Sequence, residues 1–133
     1  MDADKRVAIR TDRDIVEARQ TGRQLAIEIG FSPGDATVVS AAISEIARNI
    51  FQYAGQGEVS LLAVKRDERH GVQVIATDHG PGIADLQKCM MDGYSTSGSL
   101  GLGLPGAKRL MDEFEVDSRV GFGTTITMRK WRR

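Results

Sequence analysis

Three short segments of glycine, acidic and amide residues occur in a fixed order and limit what this chain can fold into and hold. Glu45 and Asn49 stand four residues apart, Asp-His-Gly-Pro-Gly fills residues 78–82, and Gly-Leu-Gly-Leu-Pro-Gly fills residues 101–106. Each pattern is common by itself. Within the 62 residues from 45 to 106 they supply side chains and backbone for an adenine, a magnesium ion and a triphosphate. Nucleotide chemistry is therefore the function that they favour together.

The spacing of apolar residues predicts the element order β-α-α-β-β-loop-α-β-β. Thr11 with Asp14 is a capping-box pattern, and Ser32 followed by Pro33 is typical of a helix start. Because short turns join successive strands, we expect a mostly antiparallel or mixed sheet with the helices on one face, which is a two-layer α+β sandwich. The predicted strands are residues 5–10, 58–66, 71–77, 115–119 and 124–129, and the predicted helices run from 11 to 29, from 32 to 53, from 83 to 91 and from 104–105 onward.

Helical spacing also predicts the buried residues. The inward residues are expected to be Ile15, Ala18, Leu25 and Ile29 on the first helix, Val39, Ile43, Ile46, Ile50 and Tyr53 on the second, and Leu104, Ala107, Met111 and Phe114 on the last. Residues 92–103 are predicted to form a polar, flexible loop that closes over the nucleotide. The basic run Met-Arg-Lys-Trp-Arg-Arg at residues 128–133 is expected to be a solvated tail at a strand end.

Glu45 and Asn49 share one face of the second predicted helix, about 100° from its buried stripe. An asparagine oxygen is a suitable ligand for magnesium, which takes few protein ligands and keeps water and phosphate oxygens. A glutamate beside a polyphosphate can accept a proton from a hydroxyl group or water. An ordinary solvated helix face would have the same pattern, so both interpretations stay open for this motif alone.

Asp78 stands at the end of a predicted strand and begins Asp-x-Gly-x-Gly. A carboxylate there can accept a hydrogen bond from the exocyclic amine of adenine, and Gly80 and Gly82 let the backbone pass close to a flat ring. The alternative is an ordinary turn after a strand.

Residues 101–106 match the dinucleotide pattern G-x-G-x-x-G, but a polar loop precedes them where that motif requires a strand. The Walker pattern also fails, because Ala107 occupies the position of its lysine. A glycine-rich segment that leads into a helix N-terminus still favours phosphate binding, through free N–H groups and the helix dipole. A flexible loop before a helix is the alternative.

Composition excludes several other classes of function. The 18 basic and 18 acidic residues give no net charge, so there is no general attraction to nucleic acid or anionic membrane. A lone cysteine, Cys89, excludes an internal disulfide and a cysteine-rich zinc site. With no signal peptide and no apolar run near 18 residues, we expect residues 1–133 to form one cytoplasmic domain.

The motifs resemble those of the GHKL, or Bergerat-fold, ATP-binding superfamily, and the resemblance covers nearly the whole chain. Glu45 and Asn49 resemble its N box, residues 78–82 its G1 box, and residues 101–104 its G2 box. Gly-Thr-Thr at residues 123–125 resembles its final strand. The resemblance implies the Bergerat sandwich fold, with ATP and Mg²⁺ as ligands.

The resemblance also implies a role for each matching residue. Glu45 would be the base that accepts the substrate proton, Asn49 would ligate magnesium, and Asp78 and Thr124 would recognise adenine. The remaining nucleotide-binding positions would be Gly80 and Gly82 around the base and Gly101, Leu102 and Gly103 around the phosphates.

Within the superfamily, stand-alone domains of this size resemble the serine kinases that regulate bacterial sigma factors. Residues 43–49 and 92–115 look very like the stressosome switch kinases of the RsbT type. That resemblance implies phosphorylation of STAS-domain scaffold and antagonist proteins of the RsbS and RsbR kind, and activation of an RsbU-like PP2C-type phosphatase. The alternatives are an anti-sigma factor that sequesters a sigma factor under nucleotide control, and an ATPase without a protein acceptor. The short tail after the last strand favours the kinase.

Overall fold

The computed structural model describes residues 5–80 and 103–133, and within them five strands form one sheet beside three helices. The strands are β1 (Lys5–Ile9), β2 (Gly57–Arg66), β3 (Arg69–Asp78), β4 (Glu113–Arg119) and β5 (Gly123–Trp131), and the helices are α1 (Asp12–Ile29), α2 (Pro33–Ala54) and α3 (Gly103–Leu110). All pairings are antiparallel, in the order β1-β2-β3-β5-β4. The predicted α+β sandwich is confirmed. The predicted helix at 83–91, and the predicted loop apart from Gly103, lie outside the described residues.

Both predicted helix starts are confirmed by their hydrogen bonds. The Asp14 carboxylate accepts the N–H groups of Arg10 and Thr11 at 2.8 and 3.0 Å, and these bonds lower the pKa of Asp14. The Ser32 hydroxyl accepts the N–H of Asp35 at 3.1 Å, directly before the proline that opens α2. These contacts satisfy N–H groups that a helix start leaves without a backbone partner.

The core lies between α1, α2 and the sheet face that carries Val59, Val74 and Met128. The predicted α2 stripe is confirmed from Val39 to Ile50 but is wrong at Tyr53, which is 44% exposed. Tyr53 lies in the last turn of α2, where the neighbouring residue 52 is also exposed, so the helix has passed beyond the core there.

Three other expected core positions need correction. Ile29 is only partly buried, and Phe114 lies on β4 because α3 ends at Leu110. Met111 is buried, but it follows the end of α3.

The basic C-terminal segment was expected to be a solvated tail, and this is wrong for residues 128–131, which belong to β5. Trp131 is 3% exposed and pairs with Gly71, where an added Cβ would lie 2.6 Å from the indole ring. Its indole N–H donates to Glu113 at 3.0 Å. Hydrogen bonds from Arg66, Trp131 and Arg129 hold the pKa of Glu113 at about 2. Arg129 of this segment is thus paired with a carboxylate on β4, and Lys130 donates to the carbonyl oxygen of Leu110, so these two charges are not left to water alone. No helix in the described ranges is long and apolar enough to cross a membrane.

Candidate functional site

Asp78 and Thr124 are brought face to face by the pairing of β3 with β5. Both are buried, at 9% and 6% exposure. The Oδ1 atom of Asp78 accepts the N–H of Gly80 at 2.9 Å, whereas its Oδ2 has no hydrogen-bond partner among the described residues. A carboxylate oxygen is a strong hydrogen-bond acceptor, so this atom is suited to accept a hydrogen bond from a bound amine.

Two glycines set the backbone around Asp78. Gly123 has a φ of +122°, and a Cβ at that position would lie 2.1 Å from the carbonyl oxygen of Asp78. A Cβ on Gly80 would lie 2.6 Å from Cβ of Ala54, so glycine at 80 allows the segment after β3 to pack against the end of α2. That contact brings the Asp78 motif to the helix that carries Glu45 and Asn49.

Sequence reasoning missed Ser118, which lies on β4 directly opposite Thr124. The two hydroxyl oxygens are 2.9 Å apart and share a hydrogen bond. Ser118 therefore helps to fix the Thr124 hydroxyl, which the family resemblance implies in adenine recognition. The predicted strand ends, residues 119 and 124, would have set Thr124 opposite Arg119. In the structure β5 already begins at Gly123, which pairs with Arg119 and leaves Thr124 opposite Ser118.

The sheet end around these residues contains a cavity of about 160 Å³. Asp78 and Thr124 both line it, and Phe122 at its edge is 75% exposed. Such a volume is below the usual range for a small-molecule pocket, about 300–1,000 Å³. The cavity is therefore a recess for part of a ligand, such as one ring.

Glu45 connects α2 to the start of α3. Its Oε1 accepts the N–H of Gly103 at 2.9 Å, and its Oε2 accepts NH1 of Arg48 at 3.1 Å. The side chain of Glu45 is 18% exposed. A carboxylate is favourable at a helix N-terminus because free N–H groups point outward there. The same donors favour phosphate, so Glu45 lies at an anion-binding position.

Asn49 is half-buried one turn after Glu45, and it has no hydrogen-bond partner among the described residues. Residues 5–80 and 103–133 contain no group of three or more histidine, cysteine, aspartate or glutamate side chains that would hold a metal ion. The amide oxygen of Asn49 fits an ion that takes one protein ligand and completes its shell with water and phosphate oxygens.

The structure thus joins the predicted site residues in two groups: Asp78 with Gly80 and Thr124, and Glu45 with Gly103. Tyr53, which sequence analysis assigned to the core, continues the Glu45–Asn49 face by one more turn. The predicted residues Gly82, Gly101 and Leu102 lie outside the described residues.

Comparison with known proteins gives concordant matches. Residues 10–130 match the family model described as histidine kinase-like ATPase domain. The chain is 53% identical over 127 residues to the serine/threonine-protein kinase RsbT of Bacillus subtilis, and the match covers 96% of each protein. It is 32% identical over 119 residues to an anti-sigma F factor of Clostridium acetobutylicum, covering 85% of this chain and 82% of that protein.

Among solved structures, the RsbU and RsbW domains of a Mycobacterium tuberculosis protein superpose with a TM-score of 0.62 at 22% identity. The match covers 97% of this chain and 33% of that longer chain. At 22% identity, this structural similarity supports the fold assignment alone.

Proposed function

The chain belongs to the family of histidine kinase-like ATPase domains, and from this premise we propose that it is an ATP-dependent serine/threonine protein kinase of a sigma-factor pathway. The extent of the match to a serine/threonine-protein kinase, 53% identity over 96% of both proteins, supports this activity. The structural observation that carries the proposal is the contact between Glu45 and Gly103. It sets a potential proton acceptor beside the helix start that favours phosphate.

The described residues suit adenine and magnesium. The Oδ2 of Asp78 would accept a hydrogen bond from the adenine amine, with Thr124 and Ser118 beside it. Asn49 would be a ligand of Mg²⁺, which would neutralise charge on the phosphates. The phosphates would bind at the N-terminus of α3, where residues 101–103 of the glycine motif lead into the helix.

In the proposed transfer, a serine or threonine hydroxyl of the substrate attacks the γ-phosphorus of ATP while Glu45 accepts the hydroxyl proton. A new oxygen–phosphorus bond forms, and the bond between the γ-phosphorus and the bridging oxygen breaks. Its electron pair leaves with ADP. Glu45 then releases its proton to solvent, which restores the carboxylate.

We propose STAS-domain proteins as phosphate acceptors and a PP2C-type phosphatase as the protein that the free kinase activates. This assignment is supported by the resemblance of residues 43–49 and 92–115 to stressosome switch kinases. Phosphorylation of the acceptor would release the kinase and allow it to exchange partners.

A specific observation favours a second candidate, because relatives named anti-sigma F factor are 27–32% identical to this chain over the matched residues. The deciding experiment supplies γ-labelled ATP with a purified STAS-domain protein and, separately, with a sigma factor. Label transfer that is lost after serine or threonine substitution on the acceptor supports the kinase. A stable sigma-factor complex without transfer to any STAS protein favours the anti-sigma function. Equal ATP hydrolysis with and without partners, with neither label transfer nor a sigma-factor complex, contradicts both.

A further inference from the structure

Arg48 lies between two residues with proposed roles, one turn after Glu45 and directly before Asn49. It is the only basic residue in the α2 sequence. Its NH1 donates to Oε2 of Glu45 at 3.1 Å, and its side chain is 38% exposed. The guanidinium is therefore held by one contact that the structure describes and has room to change partner.

An ordinary helix salt bridge is the simplest role for this pair. Ion pairs three residues apart on a helix contribute only about 0.2–0.5 kcal/mol to stability, so the contact between Arg48 and Glu45 is weak enough to exchange. The second oxygen of Glu45 is held by the N–H of Gly103. Both donors, a guanidinium and a free N–H at a helix start, are groups that bind phosphate well. The carboxylate of Glu45 thus occupies a position where two phosphate-binding groups converge.

We propose that Arg48 is a ligand of the terminal phosphate of ATP, and that it leaves Glu45 when this phosphate binds. A phosphate offers several charged oxygens to the planar guanidinium and can bind it through two hydrogen bonds, which a single contact to Oε2 does not match. The exchange frees an oxygen of Glu45 for the substrate hydroxyl. This inference rests on the proposed function, because it takes Glu45 as the proton acceptor.

The proposal makes the γ-phosphate, rather than the nucleotide as a whole, the group that Arg48 recognises. ADP lacks that phosphate, so with ADP bound Arg48 stays on Glu45. After the γ-phosphate has been transferred to the acceptor, Arg48 would return to Glu45.

The test measures dissociation constants for a magnesium-bound, non-hydrolysable ATP analogue and for Mg-ADP by calorimetry. Arg48→Gln is expected to weaken binding of the analogue by roughly tenfold to a hundredfold, the range of a hydrogen bond to a charged group. Its affinity for ADP should stay within a few-fold of wild type. Arg48→Lys should restore part of the loss, because it keeps the charge but not the two-bond geometry.

Arg23→Gln is the matched control. Arg23 is on α1 and donates to Thr37 on α2 at 3.3 Å. Thr37 is eight residues before Glu45, about 12 Å along the helix. Like Arg48→Gln, this control removes one arginine charge, but at a distance from Glu45. It should leave unchanged the ratio of the dissociation constant for the ATP analogue to that for ADP, called here the analogue-to-ADP ratio.

A second arm repeats Arg48→Gln in a Glu45→Gln background. If Arg48 binds the phosphate directly, its replacement still changes the analogue-to-ADP ratio in this background. If Arg48 acts only through Glu45, its replacement no longer changes the ratio. An unchanged ratio in Arg48→Gln, or equal losses for both nucleotides with a lower melting temperature, overturns the proposal in favour of a structural pair. These binding ratios do not depend on a protein acceptor. Failure of the wild type to phosphorylate a STAS protein would therefore contradict the kinase function separately.

Discussion

Replacement of Glu45 by glutamine should separate chemistry from stability. The glutamine side-chain oxygen can still accept the N–H of Gly103. Its NH₂ group then faces Arg48, so the ion pair, which is 3.1 Å long in the wild type, is lost. Loss of a pair at this spacing costs about 0.2–0.5 kcal/mol, and loss of a charge at a helix N-terminus costs about 0.3–1 kcal/mol. The expected destabilisation is therefore about 0.5–1.5 kcal/mol, or a few degrees in melting temperature.

The effect on phosphoryl transfer should be larger. A positioned base contributes about 10²–10⁴-fold to rate, and the loose transition state of phosphoryl transfer favours the lower end. A hundredfold loss corresponds to about 2.7 kcal/mol of barrier. Nucleotide affinity should stay within a few-fold of wild type or rise slightly, because a negative charge beside the phosphates is removed. Asn49→Ala should differ by losing magnesium-dependent binding together with activity.

The assay is single-turnover transfer of γ-phosphate to a STAS-domain acceptor, with the Mg-ATP dissociation constant and the melting temperature of each variant. Glu28→Gln is a suitable control, since it removes a carboxylate from α1 whose one hydrogen bond within residues 5–80 and 103–133 is a long one, 3.4 Å from Gln24. Transfer by Glu45→Gln within a few-fold of wild type would refute its role as the base. Loss of binding and transfer together would make Glu45 a structural residue.

Three further predictions test other parts of the molecule. Asp78→Asn should weaken the binding of ATP and of ADP equally, by about 1–2 kcal/mol in calorimetry, because the amide lacks the charge that strengthens the hydrogen bond to adenine. If the variant binds both nucleotides as tightly as wild type, Asp78 is only a turn residue. Gly123→Ala should destabilise the fold by about 1–3 kcal/mol and impair nucleotide binding, since its Cβ would lie 2.1 Å from the Asp78 carbonyl oxygen. Gly121→Ala, at φ +86° in open space, is the control for backbone strain alone, and equal effects in denaturant titrations would contradict the steric argument. The pKa of Glu113 is lowered from 4.5 to about 2, so its stabilising effect is complete above about pH 4.5 and is lost as the pH falls toward 2. The melting temperature of Glu113→Gln should accordingly fall less than that of wild type between pH 4.5 and 2. If the melting temperatures of the two proteins fall in parallel, Glu113 does not contribute to the loss of stability in acid.

Local signals explain why the sequence predicted so much of the fold. The helix starts at Thr11 and Ser32 depend on side chains within three residues of the N–H groups that they satisfy. The core stripe of α2 follows from helical spacing, and the strands alternate between buried and accessible faces. These patterns are set by neighbours in the chain, so they can be read without knowledge of the tertiary structure.

The features that the residue patterns did not predict depend on residues far apart in sequence. The contact of Glu45 with Gly103 joins positions 58 residues apart, and the network of Trp131, Arg66 and Glu113 joins three strands. A basic run at a chain end is usually solvated, and only the sheet order brings the carboxylate of Glu113 beside this one. Tyr53 has the spacing of a core residue, and its exposure depends on where α2 leaves the sheet.

The register of β5 links the candidate site to the stability of the C-terminal end. Thr124 stands opposite Asp78 near one end of the strand, and Trp131 stands opposite Gly71 at the other. A shift of one residue would turn Thr124 to the opposite face of the sheet, because side chains alternate along a strand. The close approach of Gly123 to Asp78 and of Gly71 to the indole ring both oppose such a shift. A ligand that needs Asp78 and Thr124 together would therefore stabilise the pairing that also holds Trp131, and loosening of the C-terminal end would weaken nucleotide binding through the register rather than through direct contact.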